Sequence, residues 1–132
     1  MDTHVVLVGH GSRSVEANSS LVTLAETIAS DLAMPVHAAY LEMAEPSIPA
    51  TMSAAVAAGA RRIVAVPYFL TPGMHVRRDI VEIVDTARAE LGVTIELADF
   101  FGSHPEVPRL LTEIIGAKLS RAITSIYSAP VR

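Results

Sequence analysis

The strongest constraint on the fold is a regular alternation of short apolar runs with longer amphipathic segments. Runs rich in β-branched residues favour strands, whereas apolar residues spaced three or four positions apart favour helices. The predicted strands are His4–Val8, Val36–Leu41, Arg62–Val66 and Val93–Ala98, and the predicted helices are Ser14–Leu32, Ser47–Ala58, Val76–Leu91 and Glu106–Leu119. Such alternation implies a parallel sheet with right-handed crossovers and helices on both faces. The sequence therefore predicts a three-layer α/β domain with a four-stranded parallel sheet.

Length and composition exclude several classes of protein. From the 132 residues we expect one domain, residues 1–121, followed by a tail, residues 122–132, that is irregular or packs on a partner. The net charge of −4 argues against a nucleic-acid partner, which would require a basic surface. No apolar run approaches the ~20 residues of a membrane helix, and no signal-peptide pattern is present, so we expect a cytoplasmic protein. Because cysteine is absent, any metal site must use His, Asp or Glu.

Polar side chains follow each of the predicted strands. His10 follows the first strand, Glu42 the second, His75 the third and His104 the fourth. The carboxyl ends of parallel strands lie at one edge of a sheet, where open α/β proteins bind ligands. We therefore expect these side chains to converge on one surface.

Each of these residues also has an ordinary structural interpretation. His10 can cap the first helix or bind a loop carbonyl, and Glu42 can be a solvated carboxylate at a strand end. His75, placed just ahead of a predicted helix, can be a polar group of the cap region. For His104 the structural interpretation is strongest, because Ser103–Glu106 reads as a capping box with proline at the first helical position.

Two further pairs of residues are distinctive. His4 and His37 lie within predicted strands, where a structural role is the expectation. Arg77 and Arg78 fall at the start of a predicted helix, where cations oppose the helix dipole. These arginines either form a solvated first turn or have an anionic partner.

Imidazoles and a carboxylate without a thiolate favour divalent first-row ions such as Fe²⁺, Co²⁺ and Ni²⁺. Neutral imidazoles also accept protons near pH 7. A site that holds a metal loosely and takes up protons suits the insertion of a metal into a macrocycle.

The sequence resembles the small class II chelatases, the CbiX/SirB-like family of sirohydrochlorin cobaltochelatases and ferrochelatases. The resemblance rests on three stretches in order, LVGHGSR with Asn18 shortly after it, YLEMAEPSIPATMSAAVAAGARRIVAVPYFLTPGMHVRRDI, and GSHPEV. It implies a chelatase-like (flavodoxin-like) fold and a lyase that inserts Co²⁺ or Fe²⁺, or Ni²⁺, into sirohydrochlorin during cobalamin or sirohaem biosynthesis. It also implies a homodimer with the active site between the subunits.

The resemblance assigns roles to individual residues. His10 and His75 correspond to the metal-binding histidines, and Glu42 corresponds to a glutamate with an acid–base or metal-delivery role. No tightly bound cofactor is implied, since the divalent metal is a substrate. A tetrapyrrole carries many carboxylates, and the residues expected to bind it are Ser12, Arg13, Arg77 and Arg78.

Two alternatives remain at this stage. A non-catalytic carrier of tetrapyrroles or metals would use the same fold and the same donor groups. A histidine phosphatase also has a His followed by Gly after its first strand. However, Gly9 precedes His10 where that family has arginine, and this chain is short for that fold.

Overall fold

The computed structural model describes residues 2–127, with side chains described through residue 120. Its elements are β1 (Thr3–Gly9), α1 (Val15–Leu32), β2 (Val36–Tyr40), α2 (Ile48–Ala57), β3 (Arg62–Pro67), α3 (Met74–Leu91), β4 (Thr94–Leu97), a 3₁₀ turn (Phe101–Ser103) and α4 (Val107–Tyr127). The chain divides into two compact units, one ending at Gly102 and the other beginning at Ser103. The predicted alternation of strands and helices is confirmed.

All four strands are parallel, in the order β2-β1-β3-β4. The chain runs from the central strand β1 outward to the edge strand β2 and then back across to β3. The direction of winding therefore reverses between β1 and β3. In open parallel sheets such a switch point forms a crevice at the carboxyl ends of the strands. The loops that follow β1 and β3 lie on either side of it.

The sheet of the first unit has a helical layer on each face. On one face, Val6 of β1 and Ile63 of β3 pack in a core with Met52 of α2 and Val84 of α3. On the other face, the main contacts to α1 come from Leu7 of β1 and Tyr40 of β2, which pack with Leu21 and Ala25. The predicted three-layer α/β arrangement is confirmed within this unit.

Local hydrogen bonds explain where the helices begin and end. Ser14 caps α1 by accepting a bond from the Ala17 N–H, and Ser47 caps α2 through the Ala50 N–H. Gly92 ends α3 in the left-handed region, with φ at 65°, a conformation that glycine adopts without strain. These local features set the first residues of α1 and α2 and the last residue of α3.

His4 and His37 form a stacked pair on neighbouring strands. Their rings lie 5.1 Å apart and 18° from parallel, and His4 Nδ1 is 2.9 Å from His37 Nε2. His4 is only 4% exposed. Burial, and to a lesser extent the proximity of His4, lower the pKa of His37. This pairing agrees with the expected structural role, since the two rings share one hydrogen bond and stack within the sheet.

The second unit contains α4, which differs from its prediction at both ends. The helix begins at Val107, so the proline of the predicted capping box lies outside it and Pro108 is its second residue. It ends at Tyr127, so residues 122–127 are helical and not irregular, and the alternative that the tail packs on a partner stays a prediction. Residues 128–132 lie outside the described part, and the domain boundary at residue 121 stays a prediction.

The α4 helix is amphipathic along its described length. Arg109 forms ion pairs with Glu106 and Glu113. On the opposite side of the helix lie exposed aliphatic residues at a spacing of three or four positions: Leu110, Leu111, Ile114, Ile115 and Leu119. Within residues 2–127, no helix is long and apolar enough to cross a membrane.

Candidate functional site

The loop that carries His10 continues the pairing of β1 with β2 beyond both strands. The Leu41 N–H donates to the Gly9 carbonyl (2.9 Å), and the Glu42 N–H donates to the His10 carbonyl (3.0 Å). Gly11 lies against the same segment with φ at 97°, and a Cβ there would be 1.7 Å from the Glu42 carbonyl oxygen. Only glycine permits this approach, which explains why glycine follows His10.

The side chains of His10 and Glu42 meet at the mouth of the switch point. His10 Nε2 lies 3.9 Å from Glu42 Oε2, and the two side chains are 48% and 53% exposed. The other ring nitrogen, Nδ1, lies 3.3 Å from the Gly11 carbonyl oxygen. Phe69 contacts the imidazole edge-on, with ring centroids 6.5 Å apart. With its proton on Nδ1, the ring donates to Gly11 and turns its Nε2 lone pair toward Glu42.

This geometry suits a cation. Metal bonds to an imidazole nitrogen and to a carboxylate oxygen are each about 2.1 Å long, so one ion spans at most about 4.2 Å between two donors. The observed separation of 3.9 Å between Nε2 and Oε2 falls within that limit. A divalent ion placed between these two atoms would be bound by both, because imidazole nitrogen and carboxylate oxygen are both ligands of first-row divalent ions.

His75 is the second residue of α3, not a residue ahead of the helix as the sequence suggested, because α3 begins at Met74. The side chain is exposed. Among residues 2–120, the His75 side chain has no hydrogen-bonded or ion-paired neighbour, and no three His, Asp or Glu residues form a metal-binding cluster. The structure thus brings together His10 and Glu42, and leaves His75 on the other side of the switch point.

The remaining predicted binding residues differ in their contacts. Arg77 stacks on Phe100, with its guanidinium carbon 4.5 Å from the ring centroid. Ser12 already accepts a hydrogen bond at its Oγ from the Ser14 N–H (3.0 Å). Arg13 and Arg78 are exposed and, within the part of the chain that the structure describes, form no ion pair. All three arginines therefore have N–H groups available for an anion.

Exposed apolar side chains lie in the same loops as these polar groups. The sequence analysis did not predict these apolar residues as part of the site. Tyr68 packs on Phe101 with centroids 5.4 Å apart. The Gly102 N–H donates to the Phe69 carbonyl (2.8 Å), which joins the loops after β3 and β4. Other exposed apolar residues in the loops after β2 and β3 and at the start of α3 are Met43, Leu70 and Met74. The signal in the sequence was the pair of aromatic runs YFL and DFF directly after two strands.

Open grooves border the site on two sides. One, of about 560 Å³, is lined by His10, Ser12 and Tyr68 together with residues of α1. The other, of about 650 Å³, lies between α2 and α3 and is lined by Glu42 and by the acidic residues Asp79, Glu82 and Glu90. The polar edge of the sheet is therefore accessible to ligands from both helical layers.

His104 belongs to the second unit and has a local contact. The Glu106 N–H donates to His104 Nδ1 at 3.1 Å, just before α4 begins. This bond occupies a ring nitrogen in a turn, which agrees with the structural interpretation of His104 rather than with a role in binding a ligand.

A model of the CbiX family matches residues 4–117 of this chain. Curated relatives include the chloroplastic sirohydrochlorin ferrochelatase of Arabidopsis thaliana, which is 31% identical over 92% of this chain and 53% of its own length. The sirohydrochlorin cobaltochelatase of Methanocaldococcus jannaschii is 42% identical over 61% of this chain and 57% of its own length. The chain thus spans just over half the length of these relatives.

Solved structures resemble the fold closely. A CbiX protein of cobalamin (vitamin B12) biosynthesis from Marinobacter aquaeolei VT8 has a TM-score of 0.80 and 30% identity, covering 90% of this chain and 98% of that one. The sirohydrochlorin chelatase SirB of Bacillus subtilis subspecies spizizenii, in complex with cobalt, has a TM-score of 0.76 and 28% identity, covering 89% and 51%. The predicted four-stranded α/β fold is thus found in a CbiX protein and in a sirohydrochlorin chelatase.

Proposed function

This chain belongs to the CbiX family, and on that premise we propose that it is a sirohydrochlorin chelatase, a lyase that inserts Co²⁺ or Fe²⁺ into sirohydrochlorin. The observation that carries the proposal is the facing of His10 Nε2 and Glu42 Oε2 at 3.9 Å beside the switch point. Ni²⁺ is a third candidate, because histidine and carboxylate donors accept all three ions.

In this proposal His10, in the loop after β1, and His75, in the first turn of α3, bind the incoming metal from opposite sides of the crevice, and Glu42 shares the ion with His10. Neutral imidazoles with one carboxylate hold a divalent ion less tightly than a closed thiolate site does. Loose binding is required, because the ion must leave for the ring nitrogens. The half-exposed side chains of His10 and Glu42 also allow water to replace them during transfer.

Two pyrrole N–H protons leave the macrocycle as the metal enters. We assign their uptake to Glu42 and to the imidazole of His10 once the ion has left it. Both groups are then solvent-accessible bases and return the protons to water. The sum of the step is one divalent ion and the free macrocycle giving the metallated macrocycle and two protons.

The substrate's carboxylates are assigned to Arg13, Arg77 and Arg78, with Ser12 as an additional hydrogen-bond donor. Stacking on Phe100 supports this for Arg77, because it fixes the plane of the guanidinium while leaving its N–H edge for a carboxylate. The exposed apolar residues near the site, such as Tyr68 and Phe101, suit the flat face of a macrocycle.

The test is metal insertion by purified protein under anaerobic conditions, followed by the change in tetrapyrrole absorption for each metal in turn. We expect His10→Ala, His75→Ala and Glu42→Gln each to lower kcat/KM at least about tenfold, the effect of losing one positioned catalytic group. Matched controls are Glu45→Gln, an exposed carboxylate in the same loop as Glu42, and His104→Gln in the second unit. Wild-type rates for both His10→Ala and His75→Ala would refute the mechanism.

A carrier without catalysis remains the alternative function. It would bind the tetrapyrrole and the metal with the same residues but leave the rate of metallation at its spontaneous value. Metal insertion faster than the spontaneous rate, with multiple turnovers per protein molecule, would show that the protein is an enzyme and not a carrier. The match to the CbiX family favours a chelatase over the histidine phosphatase alternative.

A cytoplasmic location stays a prediction. We also propose that the protein forms a homodimer. The support for self-association is the row of five exposed aliphatic residues on α4, since contiguous exposed apolar surface marks interaction sites. Sedimentation of wild-type protein at micromolar concentration is expected to give a dimer, and the double substitution of Ile114 and Ile115 by Glu a monomer. A matched control, Ser120→Glu, places the same charge on the side of α4 that carries Arg109. A wild-type monomer that inserts metal at full rate would contradict the proposal.

A further inference from the structure

Asn18 ties the loop that carries His10 to α1. It is the fourth residue of α1, yet its side chain reaches back out of the helix. Its Oδ1 accepts a hydrogen bond from the Ser12 N–H (3.0 Å), and its Nδ2 donates to the Ser12 carbonyl (2.8 Å). Both polar ends of one amide are thus used on one residue, two positions after His10.

These bonds are not needed to cap the helix. Ser14 already does so, with its hydroxyl accepting from the Ala17 N–H. The stretch between β1 and α1 is neither strand nor helix, and a short connection of this kind keeps one conformation only where its peptide groups are bonded. The Glu42 N–H holds the carbonyl of His10 on one side, and Asn18 holds the peptide groups of Ser12 on the other.

Tyr40 in turn fixes Asn18 from the core. Its ring is only 3% exposed, and its hydroxyl donates to the main-chain carbonyl of Asn18 at 2.6 Å. Burial raises the pKa of Tyr40, so the hydroxyl remains a donor over the physiological range. Tyr40 also pairs with Gly9 in the register of β1 and β2, which places this bond directly beneath the loop.

We propose that Asn18, held in place by Tyr40, is a positioning residue that fixes the imidazole of His10 for metal binding. The inference rests on the proposed function, since it takes His10 as a metal ligand. Neither Asn18 nor Tyr40 contacts the metal in this proposal. They act through the main chain of Ser12, so that His10 Nε2 stays aimed at Glu42 before the metal arrives.

The experiment measures Co²⁺ affinity without tetrapyrrole, together with insertion kinetics and thermal unfolding, for Asn18→Ala, Tyr40→Phe and the double variant. We expect Asn18→Ala to weaken Co²⁺ binding by about tenfold or more, as for other groups that orient metal ligands. Insertion kcat/KM for the metal should fall by the same factor, with KM for the tetrapyrrole unchanged. Tyr40→Phe should weaken Co²⁺ binding by about threefold, the loss expected for one hydrogen bond.

The double variant separates positioning from general stabilisation. If Tyr40 acts by aiming the Asn18 amide, adding Tyr40→Phe to Asn18→Ala weakens Co²⁺ binding no further, although it can still lower the melting temperature. The control is Thr27→Val, which removes a hydroxyl that bonds within α1 (3.1 Å to the Thr23 carbonyl). It should leave Co²⁺ affinity unchanged.

Each outcome decides between claims. Wild-type Co²⁺ affinity in Asn18→Ala, or additive losses in the double variant, would overturn the positioning role. If Asn18→Ala does not fold, Tyr40→Phe alone carries the test, and unaltered Co²⁺ affinity in it would overturn the role. His10→Ala distinguishes the two proposals. Unchanged Co²⁺ affinity in His10→Ala refutes the metal site itself. Weaker Co²⁺ binding in His10→Ala, together with unchanged binding in Asn18→Ala, refutes only the positioning role.

Discussion

Replacement of Gly11 by alanine is expected to damage the site in two separable ways. The first is conformational, because φ at this position is 97°, in a region that a residue with a Cβ occupies at a cost of about 1–3 kcal/mol. The second is steric, because the new Cβ would lie 1.7 Å from the carbonyl oxygen of Glu42. Since neither atom belongs to a flexible side chain, the two loops must separate.

Two other glycines measure these costs one at a time. Gly59 has φ at 104° but nothing within 4 Å of a Cβ, so Gly59→Ala reports the conformational cost alone. Gly102 lies outside the left-handed region, but its Cβ would be 1.7 Å from the Leu70 carbonyl oxygen, so Gly102→Ala reports the steric cost alone. From the usual costs of strained backbone and overpacking, we expect the free energy of unfolding to fall by about 1–2 kcal/mol in Gly59→Ala and by about 2–3 kcal/mol in Gly102→Ala.

Gly11→Ala combines both effects, and we expect it to lower the free energy of unfolding by about 3–5 kcal/mol. Urea denaturation of all three variants gives the comparison directly. It is valid only if the free energy of unfolding depends on urea concentration with the same slope in each variant. Co²⁺ titration adds a functional readout, since separating the loops moves Glu42 from His10 in Gly11→Ala but not in Gly59→Ala. Equal losses of stability for Gly11→Ala and Gly59→Ala would refute the argument that the loops are packed through this glycine.

Two further predictions concern charge. Because the pKa of His37 is lowered in the folded chain, the unfolded chain binds more protons as the pH falls below 6.5. The contribution of His37 to the free energy of unfolding should therefore fall as pH drops through 6.5 and be flat above it. Urea titrations should give a shallower pH dependence for His37→Gln than for wild type, and an identical pH dependence would contradict the assignment. Replacing Arg77 by Lys, or Phe100 by Leu, should raise KM for the tetrapyrrole about threefold to tenfold with kcat retained, because the first change removes the guanidinium and the second removes the ring on which it stacks. Strictly additive effects in the double variant would mean that the two residues do not act together.

The layered fold could be predicted from the sequence because its signals are local. Apolar periodicity identified the strands, and the serines at the predicted starts of α1 and α2 are their N-caps. Periodicity was weaker where α4 continues beyond residue 121, so the sequence did not predict that residues 122–127 are helical. Of the four polar residues that follow the strands, His10 and Glu42 meet at one edge of the sheet, whereas within residues 2–120 no hydrogen bond or ion pair links His75 or His104 to them.

What could not be predicted depends on contacts between residues far apart in the chain. The approach of Gly11 to Glu42 and the bond from Tyr40 to Asn18 join segments separated by 20 residues or more. Sequence spacing carries no information about such pairs. The distinction between His10, which meets a carboxylate, and His104, which meets its own turn, has the same origin. Both histidines follow a strand and precede a helix, and only the fold separates their roles.

The candidate site combines a hydrogen-bonded main chain with solvent-accessible donors, and we expect metal transfer to require this combination. A metal that is a substrate must arrive hydrated, lose water to protein donors and then lose those donors to the ring nitrogens. Donors buried in a closed shell would bind the ion too tightly to release it. Side chains of His10 and Glu42 that are about half exposed can exchange with water at each step, while the bonds to their peptide groups keep the next ion in register. Substitutions that loosen the main chain should therefore weaken capture of the metal, whereas those that bury the donors should slow its release.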